Sequence, residues 1–257
     1  MDIKLTGKTA LVTGASLGLG FAIAKTFAEA GADVAILARR QGPLDEAAAA
    51  IASRGREVVA IACDVRRAAD IEAAFARVTQ AFGRVDILVN NAGTSNAHPF
   101  ESVTDAQWQE DIDLKLFAAI RLVRLAWPQM RERKWGRIIN VLNTGAKAPR
   151  PASAPTSVTR AAGMALTKVL AGEGAPHGIL VNAMLVGFIE SDQWVQRAAK
   201  TGVPLEDFLS NMGKEIPLGR VGTAQEFANM ACFLASDAAS YITGTAINVD
   251  GNRCPVV

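Results

Sequence analysis

The chain is short of the usual general acids. One tyrosine, Tyr241, and two histidines, His98 and His177, occur in 257 residues, so any proton chemistry has few ordinary donors to draw on. Its three cysteines, Cys63, Cys232 and Cys254, are far apart and never in CxxC spacing. That excludes a cysteine zinc site and a disulfide framework, and implies a reducing compartment such as the cytoplasm. No apolar run approaches the roughly eighteen residues of a membrane span. The opening MDIKLTGKTALVTG has no apolar stretch with a small-residue cleavage site, so no signal peptide is expected. Basic and acidic side chains nearly balance, 27 against 25. The locally basic RERKWGR (131–137) reads as a solvated helix end, where cations suit the dipole. Nucleic acid is therefore not an expected partner.

Half of the residues are hydrophobic and a fifth are charged, the balance of a protein with a large core. Short apolar runs alternate with Ala-rich helical patterns. Strands are expected at 9–14, 33–39, 57–65, 85–91, 136–142, 178–185 and 244–251. Helices are expected at 19–32, 43–54, 70–83, about 105–131, 156–173 and 223–235. The strand runs are apolar throughout rather than alternating, which marks strands covered on both faces by crossover helices. The expected fold is one α/β domain with a doubly wound, mainly parallel sheet of about seven strands. APRPAS (148–153) leaves a strand end directly and reads as a loop over a pocket. Residues 188–218 break the rhythm and read as an inserted helical lid.

TGASLGLG (13–20) joins the first strand to the first helix. Gly14, Gly18 and Gly20 permit close backbone approach, and Ser16, Leu17 and Leu19 complete the loop. A helix N-terminus beyond it offers free N–H groups to a pyrophosphate. An acid ending the second strand would select NAD; this chain has Ala38, Arg39 and Arg40, and a guanidinium suits a ribose phosphate, so NADP is favoured with NAD possible. Asp64 and Val65, at the end of the third strand, are placed at the adenine, although Asp64 also suits a helix cap. Asn90, Ala92 and Gly93 (NNAG, 90–93) end the fourth strand, where asparagines can tie strands and small residues admit a ring.

TGASLGLG, NNAG, GRIINV, GILVNA and IPLGRVGTAQEFANMACFLASDAASYITGTAINVDG together resemble the short-chain dehydrogenases/reductases over about 5–251. The resemblance implies a Rossmann domain, a nicotinamide cofactor, usually a tetramer, and a carbonyl or alcohol as substrate. It also implies an Asn-Ser-Tyr-Lys set. By the family's spacing those positions hold Asp113, Asn143, Thr156 and Arg160. Tyr241 resembles a structural position, so no displaced tyrosine stands in. In MLVGFIE (184–190) Val186 replaces the family's proline, Gly187 remains, and Ile189 with Ser191 would meet the nicotinamide.

Two readings follow from the changed set. In one the site is rebuilt: Asp113 pairs with Arg160, Arg160 keeps the ribose grip, Thr156 and Asn143 hydrogen-bond the substrate, and Lys147 or His98 stands by as the acid, His177 lying at the opposite sheet edge. In the other the fold binds nucleotide without hydride chemistry, as a regulatory or partner subunit. A non-redox reaction on the same scaffold ranks lower. Trp194, Phe208 and Met212 in the lid suggest an apolar substrate, or packing of the lid upon itself or in a subunit interface.

Overall fold

The computed structural model describes residues 3–52 and 55–257. In chain order the elements are β1 Thr9–Thr13, α1 Gly18–Glu29, β2 Asp33–Ala38, α2 Gln41–Ala52, β3 Val58–Ala62, α3 Ala68–Phe82, β4 Ile87–Asn90, β5 Ala97–His98, α4 Asp105–Ile112, α5 Ala118–Arg133, β6 Gly136–Asn143, β7 Ala154–Pro155, α6 Thr156–Gly174, β8 Ile179–Val186, α7 Asp192–Thr201, α8 Leu205–Gly213, α9 Ala224–Ala235 and β9 Ala246–Val249. The last two residues of the helix expected at 43–54 lie outside the described residues.

Seven strands form one parallel sheet in the order β3-β2-β1-β4-β6-β8-β9. Alternate residues of each strand enter different layers. Val12 and Ile36 pack with Phe27, Leu44 and Phe227 on one face, while Leu11 and Leu37 pack with Phe75, Leu122 and Ala126 on the other. Both faces are apolar because each is covered by helices, as the unbroken apolar strand runs require. The order reverses beside β1: β2 leads one way and β4 the other. The crevice at the carboxyl ends of β1 and β4 is where ligands bind in such sheets.

The helix expected at 105–131 is real but interrupted. Between α4 and α5, Asp113–Phe117 form a π-helical turn. A π turn adds a residue to the winding and re-aims the side chains around it. The expected loop 148–153 feeds β7, which pairs antiparallel with β5 in a ribbon of two residues per strand. Such a short ribbon carries no periodicity that a sequence can display. The expected strand at 244–251 contracts to Ala246–Val249, since Gly244 and Gly251 both adopt positive φ. The 188–218 segment holds α7 and α8.

Phe27, on the inner face of α1, is fully buried. Phe27→Ala is expected to cost about 3–5 kcal/mol, read as a lowered urea midpoint with an unchanged denaturant slope.

Candidate functional site

A cleft of about 450 Å³ opens at the carboxyl edge, running from the β1–α1 loop past the end of β6 to α7 and the C-terminal segment. Its near end is the glycine loop. Gly14, Leu17, Gly18, Leu19 and Gly20 line it. Leu17 precedes α1 without a side-chain cap, so the first N–H groups of the helix are left for a ligand. The loop sits tight against β4. A side chain at Gly20 would overlap Gly14 O and Asn91 Nδ2, and one at Gly14 would stand 2.9 Å from Ala92 Cα. Asn91 fixes this geometry: its Nδ2 donates to Thr13 O at 2.9 Å and Gly14 O at 3.1 Å, while its backbone N donates to Thr13 Oγ1 at 3.0 Å. At Gly18 the added atom would meet nothing, but φ is +58°. The space there belongs to the cleft. These residues fit a pyrophosphate: close backbone, unpaired donors and no acid.

Other expected ligand residues lie beside the cleft. Arg39, at the end of β2, is exposed and has no ion-pair partner among the described residues. Asp64 follows β3 but is held by Arg66, whose Nε donates at 2.9 Å and Nη2 at 2.5 Å. That hydrogen bonding holds the Asp64 carboxyl below its ordinary range. Asp64, expected at the adenine, also accepts from Arg66 N in this local turn. Val65 is buried in the core. Asn90 donates to Asn140 Oδ1 at 2.8 Å and Asn140 to Thr167 Oγ1 at 2.9 Å, a tie from β4 through β6 to α6. Ser16 and Ala92 lie outside the cleft lining.

The middle of the cleft holds Asn143, Thr156, Ser157 and Arg160. Asn143 ends β6, and its Oδ1 is buried with no partner. Arg160 donates from Nη1 to Val141 O at 2.6 Å. Its Nη2 lies where a side chain on Gly93 would have to be, so a glycine at 93 is the condition for the guanidinium's position. Burial pushes the Arg160 pKa down, with Asp111 opposing.

Asp113 is not among these residues. It accepts from Gln109 Nε2 at 3.0 Å and Arg121 Nη2 at 3.4 Å, so the expected pair with Arg160 does not form. The group that reaches Thr156 is Lys115, two residues on. Lys115 Nζ donates to Thr156 Oγ1 at 2.8 Å and to Asp111 Oδ1. Thr159 Oγ1 donates to Asp111 Oδ2 at 2.6 Å. The Lys115 side chain has no exposed surface. Burial brings the ammonium down to about 8, with the Arg160 charge adding to the shift and Asp111 opposing it. The correction has a simple cause. Asp111, Lys115, Ala118, Ala119, Leu122 and Ala126 form the inward stripe of the α4–α5 run, and Asp113 is off it. The buried Val123 and Ala119, extended backwards by fours, point to Lys115 and Asp111.

Two expected acids are elsewhere. Lys147 Nζ donates to Ala246 O at 2.6 Å, and His98 is exposed with Nε2 2.9 Å from Asn96 Oδ1; neither lines the cleft. At the far end Val186, Gly187, Ile189, Ser191 and Trp194 line it, joined by Phe188, Arg197, Arg253 and Cys254. Phe208 lies against Trp194, with ring centroids 6.4 Å apart; neither Phe208 nor Met212 lines this cleft. Among the described residues no cluster of His, Cys, Asp and Glu suits a metal, and no helix is long and apolar enough to cross a membrane.

A family model described as enoyl-(acyl carrier protein) reductase matches residues 14–251. The chain belongs to the short-chain dehydrogenase/reductase family. Oxidoreductase UcpA of Escherichia coli K12 is 38% identical over 251 residues, 96% of this chain and 95% of that protein. The 3-oxoacyl-[acyl-carrier-protein] reductase FabG of Aquifex aeolicus is 35% identical, covering 98% of this chain and 99% of its own. L-sorbose reductase from Gluconobacter frateurii, solved in complex with NADPH and L-sorbose, superimposes with a TM-score of 0.96 at 35% identity over the whole of both chains.

Removing only the cation from the buried Lys115–Asp111 pair strands a carboxylate. Lys115→Met is expected to destabilise the fold by about 3–5 kcal/mol, and adding Asp111→Leu to restore much of that. Chemical denaturation of the single and double variants checks it.

Proposed function

We propose that the protein is an NADP(H)-dependent oxidoreductase that interconverts a carbonyl and an alcohol, with Lys115, through Thr156, as its proton source. One observation carries the reading: the buried Lys115 ammonium lies 2.8 Å from Thr156 Oγ1, and Thr156 lines the cleft. The glycine loop supports pyrophosphate binding and the free Arg39 supports a ribose phosphate, while the NADPH complex of L-sorbose reductase favours the same cofactor here. The bound nicotinamide supplies or accepts the hydride.

Thr156 alone is a poor acid, because an aliphatic hydroxyl ionises far less readily than a phenol. Its oxygen also has a full set of bonds: it accepts from Asn96 N and from Lys115, and donates to Asn96 O at 2.9 Å. Chemistry therefore requires the hydroxyl to turn from Asn96 O to the substrate oxygen. As its proton leaves, the Lys115 ammonium refills it and becomes an amine, so no charge resides on Thr156. Alcohol oxidation runs the same transfers backwards. Asn143, with Oδ1 free, accepts from the alcohol. Arg160 faces the nicotinamide ribose and keeps a positive charge beside the reacting oxygen. Asp111 and Thr159 hold Lys115 in place. Ile189 and Gly187 form the far wall of the nicotinamide site.

Calorimetric titration with NADPH and NADH, followed by a panel of carbonyl compounds with the bound cofactor, tests this directly. Tight NADPH binding with turnover supports it. Binding without turnover on any carbonyl favours a nucleotide-binding subunit instead, and no binding overturns both. Arg39→Ala is expected to weaken NADPH by about tenfold or more and to leave NADH nearly unchanged, the loss of one charge-assisted contact. Gly18→Val, filling the phosphate approach, is expected to abolish binding of both.

The Lys115 assignment has its own signature. Reduction needs the ammonium, so its rate is expected to fall as pH rises through about 8; oxidation needs the amine and is expected to rise over the same range. In Lys115→Arg, whose side chain does not titrate there, that inflection is expected to disappear.

A further inference from the structure

We infer that the compound held in this cleft carries an anionic group, a carboxylate or a phosphate ester, gripped by Arg253 with Arg197 and Arg150 at the rim. The inference rests on the reading of the cleft as the site of carbonyl/alcohol chemistry and names its substrate class. Four arginines line the cleft, Arg150, Arg160, Arg197 and Arg253, and no aspartate or glutamate does so among the described residues. Overall the chain carries a formal charge of only +2, so this concentration is local.

The cofactor does not account for it. Pyrophosphate belongs to the glycine loop at the other end, the ribose phosphate to Arg39 outside the cleft, and Arg160 to the nicotinamide side. Three arginines remain beyond the reacting centre. Arg253 is the most constrained. Its guanidinium lies 3.7 Å over the Phe188 ring, and its side chain is 14% exposed. Its one acidic partner, Glu215 at 3.3 Å, is 64% exposed and so largely water-screened. Its Nε is buried without a partner. A buried, unpaired guanidinium donor is costly to leave unmet, and the planar fork matches an oxyanion. Arg197 stands 5.1 Å over Trp194, and Arg150 sits in the loop leading to β7. Phe188, Ile189 and Trp194 add an apolar wall between these cations and the reacting centre. The apolar substrate expected from Trp194, Phe208 and Met212 thus becomes an amphipathic one: a carbonyl or hydroxyl at the Thr156 end, a short apolar body, and an anion at Arg253.

Short oxo acids and their methyl esters, titrated by calorimetry into the protein with and without NADP⁺, test the inference independently of turnover. The acids are expected to bind about tenfold or more tightly than their esters, the effect of one charge-assisted contact. Arg253→Gln is expected to erase that preference while binding NADPH as the wild type does, and Arg253→Lys to keep part of it. Esters binding as well as acids, no acid binding in either state, or an undiminished preference in Arg253→Gln overturns the inference. A protein that prefers acids but binds no NADPH keeps the anion site and loses the oxidoreductase reading.

Discussion

Two cations and one carboxylate meet at the inner wall of the cleft. Lys115 and Asp111 are buried, Arg160 is half-buried on the lining, and only one of the three is negative. A buried charge is tolerated when it is paired and hydrogen-bonded. Asp111 satisfies Lys115 directly and is in turn held by Thr159. Arg160 has only a carbonyl, Val141 O. The arrangement is therefore electrically incomplete by about one negative charge. Much else follows from that deficit. Burial lowers the Lys115 pKa toward neutrality and the unmatched Arg160 charge adds to the shift, into the range where proton transfer in either direction is cheap. In the proposed reaction the deficit would also stabilise negative charge developing on a substrate oxygen in front of Thr156.

The sheet explains why these groups meet. Asp111 and Lys115 come from the α4–α5 run, Thr156, Thr159 and Arg160 from α6, and Val141 from β6. The π turn at Asp113–Phe117 lies within the first of these. Gly93, at the end of β4, leaves the gap that Arg160 occupies. Asn91, two residues earlier, fastens the same strand end to the glycine loop. One short strand terminus thus sets both the glycine-loop end of the cleft and the position of Arg160 in its middle.

Much of this was legible in the sequence. Unbroken apolar strands alternating with helices gave the parallel sheet, because burial on both faces leaves no room for polar alternation. The glycine loop and Thr156–Arg160 also fall where their spacing put them. What failed was finer than a pattern can resolve. Choosing Asp113 over Lys115 required knowing which side of a helix faces inward across a π turn, and two residues separate opposite faces. Asp64 caps no helix, α3 starting after Arg67, and its bonds to the adjacent Arg66 were beyond what spacing can display. Arg253 and Cys254 were invisible because a terminal segment without periodicity reaches the cleft only through the tertiary fold. Arg150 and Arg197 drew no notice for a similar reason: on loops and helix surfaces an arginine is ordinarily solvated.

The β5–β7 ribbon bears on timing. It fixes Asn96, just before β5, against Thr156, just after β7, and the Asn96 peptide grips the Thr156 oxygen from both its N–H and its carbonyl. The hydroxyl can swing toward a substrate only by letting go of that carbonyl. On the proposed proton path, segment 94–98 therefore holds the hydroxyl that must move. Thr94 and Ser95 in the same segment line the cleft, so the wall a substrate would touch and the clasp on that hydroxyl are one short piece of chain.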